Sequence, residues 1–123
     1  MLGIFRMESP QVKKVIEEKG EISDELDYAL MKYLLSNRGS GYTPCQPQLV
    51  ELENGKEAIK MSIDNTFIGK DNELMGLGIV GKLFIDPESF DIIYATPKEE
   101  LEKNIEKLEK SGVKPQKRPK GKY

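Results

Sequence analysis

Two hydrophobic periods divide the chain. Up to Asn37, and again after Pro97, apolar residues recur every three or four positions. Between Leu49 and Ala95 they mostly alternate. The first spacing marks one face of a helix and the second one face of a strand. Residues 9–20 (SPQVKKVIEEKG) predict a short helix. Ser9 stands as N-cap, Pro10 fills the first helical position, Val12, Val15 and Ile16 share a face, and Gly20 ends it. A second helix is predicted from Ser23, with Asp24 and Glu25 favoured by the dipole of its first turn. Leu26, Ala29, Leu30, Tyr33 and Leu34 form its stripe, and residues 37–41 (NRGSG) stop it. Two helices joined so closely should form a hairpin or a sharp corner.

Residues 42–48, with two prolines, read as an extended loop. LVELE and KEAIKMSID then flank Asn54-Gly55, the chemistry of a two-residue type I′ hairpin turn. That turn would pair Val50 with Ile59 and Glu53 with Lys56. Ile59, Met61 and Ile63 alternate with Lys60, Ser62 and Asp64, which predicts one covered and one wet face. Residues 64–76 are irregular. Residues 77–85 (LGIVGKLFI) read as a third, central strand and residues 90–95 (FDIIYA) as a fourth, across a turn at Asp86-Pro87-Glu88-Ser89. Thr96-Pro97-Lys98-Glu99 has the form of a capping box, and the helix after it puts Leu101, Ile105 and Leu108 on one stripe. The expected fold is therefore α+β: a four-stranded antiparallel meander with an N-terminal helix pair and a C-terminal helix packed on one face.

The chain has 123 residues, enough for one core. Its 37% apolar content is that of a soluble domain, without a run long enough to cross a bilayer, and no membrane role is expected. The first seven residues are too short and too weakly basic for a secretory signal. Having no His and one Cys, Cys45, the chain excludes Ser-His and Cys-His catalysis, zinc centres and disulfide frameworks. No cofactor, metal site or catalytic residue is expected, and a single thiol fits a reducing, cytoplasmic setting. Sixteen Lys against three Arg, with fifteen Glu among the acids, resembles a thermophile surface.

Charge also divides the chain. Residues 113–123 carry Lys114, Lys117, Arg118, Lys120 and Lys122 and no acid, which leaves −7 on residues 1–112 against −2 for the whole. The expected organisation is a single domain over 1–112 and a basic, flexible tail over 113–123. Those five side chains are the candidate nucleic-acid-binding residues. The tail could also be a solubilising end, or fold back onto the acidic body. Little apolar surface goes with it, so its removal should leave the fold intact.

Other motifs read as structural. Arg38 within NRGSG follows a helix C-terminus, the wrong end for a phosphate. Gly76, Gly78 and Gly81 match G-x-G-x-x-G without the following helix, so bulges or close backbone approach account for them. Cys45 lies between two prolines with no activating neighbour. Asp64, Asp71, Glu73, Asp86 and Glu88 fit turn hydrogen bonding better than a metal site.

A helix followed by an antiparallel meander, with the turn Ile85-Asp86-Pro87-Glu88-Ser89-Phe90 and then Ile92-Ile93-Tyr94, resembles PepSY-like or cystatin-like α+β modules over residues 47–96. Ser89-Phe90 departs from the glycine common there. The resemblance implies a binding or inhibitory module without catalytic residues. The favoured expectation is a small, non-enzymatic cytoplasmic binding or regulatory module of a thermophilic microbe, with a protein partner or a second copy of itself. A nucleic-acid or ribonucleoprotein accessory role through the tail comes second. An enzyme using carboxylates and lysine comes third.

Overall fold

The structure, a computed structural model, describes residues 21–119 and Tyr123. The helix expected over 9–20 lies outside them. Helix α1 spans Asp24–Asn37 and begins where expected: Ser23 is extended, and its hydroxyl accepts the Leu26 N–H at 3.2 Å. Leu26, Leu30 and Leu34 are its buried positions, spaced at i, i+4 and i+8. Four strands follow, β1 (Tyr42–Glu51), β2 (Glu57–Ile68), β3 (Leu74–Ile85) and β4 (Ile92–Ala95). Helix α2 (Lys98–Lys110) and a two-residue strand β5 (Gln116–Lys117) complete the described chain. The sheet runs β1-β2-β3-β4, all antiparallel, and β5 also pairs with β3. The four-stranded meander is as expected. Of the expected N-terminal helix pair only the second helix falls among the described residues, and the sheet gains a fifth strand from the segment read as a tail. No helix among the described residues is long and apolar enough to cross a membrane.

The first hairpin corrects the turn. Its ladder pairs Leu49 with Ile59 and Val50 with Ala58, one residue away from the register expected. Leu52 N–H reaches Lys56 O at 2.8 Å and Gly55 N–H reaches Leu52 O at 2.9 Å, so three residues, Glu53-Asn54-Gly55, make the loop. Gly55 has φ +83°, the left-handed residue that closes a three-residue loop, whereas a type I′ turn would need Asn54 at positive φ as well. Strand β1 also begins earlier than expected. As an edge strand it takes Pro44 opposite Ile63 without losing an internal ladder bond, and an irregularity with Gln46 at φ +53° separates its two halves.

Ile59, Met61 and Ile63 face Ile85, Leu83 and Gly81 across the β2–β3 ladder. With Leu26, Leu30, Leu34, Val80 and Leu101 they form one buried cluster, so both helices close the same core. Gly81 lies beneath Leu101. A Cβ there would stand 2.5 Å from Leu101 Cδ2, so the missing side chain sets how near α2 comes to the sheet. Thr96 is not the helix cap expected of it. Pro97 holds that position, with no side-chain cap bond. The Thr96 hydroxyl instead accepts the Lys82 N–H at 2.9 Å, and its own N–H donates to Lys82 O at 3.1 Å. This Thr96 clamp and the Asn104 amide, which donates to Val80 O at 2.7 Å, serve the stretch of β3 that lies between its β4 and β5 partners.

Leu101 is fully buried while Ile105 and Leu108 are half-buried. Leu101→Ala is expected to cost about 2–5 kcal/mol in denaturant unfolding, with Leu108→Ala costing less than Leu101→Ala. Equal losses would show that the two sites bury alike.

Candidate functional site on the outer sheet face

Alternation along β2 puts Lys60, Ser62 and Asp64 on the face opposite Ile59, Met61 and Ile63. Lys60 pairs with Phe84 and Phe84 with Tyr94; Ser62 pairs with Lys82 on one side and Cys45 on the other. Side chains paired across antiparallel strands share a face, so these residues make the surface expected to be wet. It is wet over only part of its length. Lys60, Ser62, Lys82, Phe84 and Tyr94 are half-buried or exposed, but Asp64 and Cys45 are 0% and 1% exposed.

Their cover is the C-terminal segment. Strand β5 pairs Lys117 with Met75 and Gln116 with Gly76, and the Arg118 N–H donates to Leu74 O at 2.8 Å. Arg118 then lays its guanidinium on the Asp64 carboxylate: Nε donates to Oδ2 at 2.8 Å and Nη2 to Oδ1 at 3.4 Å. The Tyr123 hydroxyl donates to the same Oδ2 at 2.6 Å, and the Gly78 N–H donates to Oδ1 at 3.2 Å. Tyr123 O in turn accepts the Gln46 N–H at 2.7 Å. A buried carboxylate needs this many donors, because leaving its charge uncompensated in a low dielectric costs several kcal/mol. Gly76 makes the contact geometrically feasible. A Cβ there would stand 2.2 Å from Arg118 Nε and 2.7 Å from Asp64 Oδ2.

The electrostatics follow from that contact. The hydrogen bond to Asp64 raises the Arg118 pKa above its ordinary value, against the opposing effect of burial. Burial first, and the hydrogen bond to Asp64 second, hold the Tyr123 phenol protonated well above its ordinary range. Burial pushes the Cys45 thiol up to about 12, with the Asp64 charge adding to the effect. This thiol is therefore a packed side chain rather than a nucleophile.

The candidate tail residues thus have separate fates. Arg118 is committed to Asp64, and Lys117 pairs with Glu73 at 3.1 Å. Lys114 is exposed, while Lys120 and Lys122 lie outside the described residues. Within the segment expected to be a tail, Gln116 and Lys117 pair with β3 and Arg118 supplies its guanidinium to the buried Asp64 carboxylate on β2.

The other motifs resolve structurally. Arg38 bonds Thr96 O at 2.8 Å and tethers the end of α1 to the β4–α2 junction. Asp86 Oδ1 accepts the Glu88 and Ser89 N–H groups of its own turn at 2.8 and 3.1 Å. Among the described residues no group of three His, Cys, Asp or Glu side chains is placed to hold a metal ion.

The uncovered half of the face was missed by sequence reasoning. Lys60, Phe84 and Tyr94 form a row across β2, β3 and β4. The two rings lie 6.1 Å apart at 46°, and Lys82 Nζ sits 5.5 Å from the Phe84 ring centre. Neither Lys60 nor Lys82 enters an ion pair among the described residues. Both lysines line a depression of about 280 Å³, together with Ser62, Thr96, Glu100 and Asn104. The signal available in the sequence was the alternation itself: Lys60, Ser62, Lys82, Phe84 and Tyr94 all occupy outward positions of their strands. Combining them required the inter-strand register. Compared with protein families, characterised proteins and solved structures, the chain matches none.

Arg118→Met is expected to lower stability by about 3 kcal/mol, the scale of an orphaned buried charge, and Asp64→Asn in the same chain should restore part of the loss. Additive losses in the double variant would show that the pair is not coupled. Cys45 in the native chain at pH 8 is expected to react with a thiol reagent at least about 100-fold more slowly than an unhindered cysteine, and at the free rate once the chain is denatured. A native rate equal to the denatured one would place the thiol in solvent.

Proposed function

We propose that this chain is a non-enzymatic binding module that takes an anionic partner on the open half of its outer sheet face. The observation that carries this reading is the row Lys60, Phe84 and Tyr94, flanked by Lys82, half-buried or exposed while the neighbouring half of the same face is sealed by described residues. A lysine without an ion pair among the described residues, next to an exposed ring, favours an anionic ligand that also offers a flat or apolar surface. The resemblance to PepSY-like or cystatin-like modules supports a binding role as well, and the single buried thiol supports a cytoplasmic setting.

Binding through the tail is the weaker of the two anion-binding readings, because Arg118 and Lys117 already have carboxylate partners. The enzyme reading draws support from Glu100 standing beside Lys60 and Lys82, but a binding surface uses the same groups without invoking a reaction.

The test is a two-dimensional amide NMR titration with three probes: inorganic polyphosphate, a poly-glutamate peptide and a short oligothymidylate. At least one probe is expected to shift the amides of Ser62, Lys82, Phe84 and Tyr94 and leave those of residues 113–119 in place. If no probe moves the sheet-face amides, or if the shifts gather at 113–119, the reading is overturned.

A further inference from the structure

The open half of the outer face has features that select among anions, and an inference built on them rests on the binding reading above. Three observations bear on the choice. The aromatic groups are neighbours: Phe84 and Tyr94 are register partners with centroids 6.1 Å apart, and Tyr94 is 40% exposed. The cations stand on the adjacent strand positions. Lys60 is the register partner of Phe84 on its other side, and Lys82 lies over the Phe84 ring at 5.5 Å. One negative charge of the face is cancelled, since Asp64, two positions along β2 from Ser62, is bound by Arg118 and hidden, while Glu100 lines the depression beside the two lysines.

A plain polyanion would use the lysines and leave the rings idle. An acidic peptide would do the same, since carboxylates on flexible stems gain little from a stacked platform. A single-stranded nucleic acid uses both, because each nucleotide presents a flat base and a phosphate. Strands lie about 4.8 Å apart, so two strand spacings, from Lys60 to Tyr94, span about 10 Å. That matches the reach from a stacked base to the phosphate of its own or the next nucleotide. Glu100 and Asn104 line the depression. Asn104 donates one amide N–H to Val80 O, which leaves its second N–H as a donor and its Oδ1, like the Glu100 carboxylate, as an acceptor suited to the amino groups on base edges. A duplex buries its bases and cannot use the rings.

We infer that the open half of the outer sheet face, Lys60, Lys82, Phe84 and Tyr94, is a site for single-stranded nucleic acid, with a base stacked on the exposed Tyr94 ring beside Phe84 and phosphates held by the two lysines. In this arrangement the C-terminal segment serves the site by neutralising Asp64 rather than by touching the nucleic acid. Two phosphate contacts give a shallow salt dependence, a log–log slope of about −1.4.

The experiment is fluorescence anisotropy on the full chain with a labelled twelve-nucleotide DNA single strand, its duplex, and labelled polyphosphate and poly-glutamate, each at several salt concentrations. Binding of the single strand is expected to exceed that of the duplex. Tyr94→Ala should weaken single-strand binding roughly 5- to 150-fold, Tyr94→Phe should retain it, and neither should alter polyphosphate binding. Lys60→Ala and Lys82→Ala should each reduce the slope by about 0.7. Lys114→Ala and Lys117→Ala should leave affinity unchanged. All five positions have side chains at least partly exposed, and a thermal melt of each variant confirms that the fold persists. Single-strand affinity indifferent to Tyr94→Ala, or equal duplex binding, overturns the inference. Polyphosphate or poly-glutamate binding at the sheet face without single-strand binding overturns the nucleic-acid assignment while the anion-binding reading stands. Loss of binding on Lys114→Ala or Lys117→Ala overturns both.

Discussion

A carboxylate buried to 0% exposure in the sheet of a small domain is the constraint on which the architecture turns. A carboxylate charge buried there without donors costs several kcal/mol. The chain provides three: the Arg118 guanidinium, the Tyr123 hydroxyl and the Gly78 amide. Two of them come from a segment more than fifty residues further along. The charge on β2 therefore dictates where the chain's far end lies, adds β5 to the sheet, and requires Gly76 to be without a side chain. Arginine suits this role better than lysine, because its planar fork meets both carboxylate oxygens.

The same contact divides the outer face of the sheet. On one side of the division Asp64, Cys45, Arg118 and Tyr123 interlock, and the thiol is hidden and protonated. On the other, Lys60, Lys82, Phe84 and Tyr94 remain open to solvent. Residues 1–112 carry −7, and the Asp64–Arg118 pair compensates one of those charges where the two halves meet. Opposite this face, Leu101 above Gly81 and the leucines of α1 fix the core. The functional proposal therefore depends on a surface held in place from both sides.

Much of this arrangement could be read from residue order. Ser23 and the leucine stripe gave α1, the alternation around Met61 gave β2 and its inward face, and the stripe from Leu101 gave α2. These signals are local: a cap, a period of 3.6 and a period of two each act within a few residues. The hairpin at Asn54-Gly55 was legible as a turn but not in its register. The choice between a two- and a three-residue loop rests on whether Asn54 also takes positive φ, and the same dipeptide serves both. Thr96 looked like a cap for the same local reason, yet its hydroxyl is taken by β3, a partner fourteen residues away in the chain.

What the sequence determined by itself was the α+β class, the inward face of the sheet, the structural character of the glycine motif, and the exclusion of histidine and disulfide chemistry. What only the tertiary structure decided was that Asp64 is buried rather than wet, that Arg118 belongs to it, and that Lys60, Phe84 and Tyr94 stand in one row. The physical reason is separation along the chain. Periodicity assigns a side chain to a face, but the partner it meets there comes from another strand, and pairing between distant segments leaves no signature in either one.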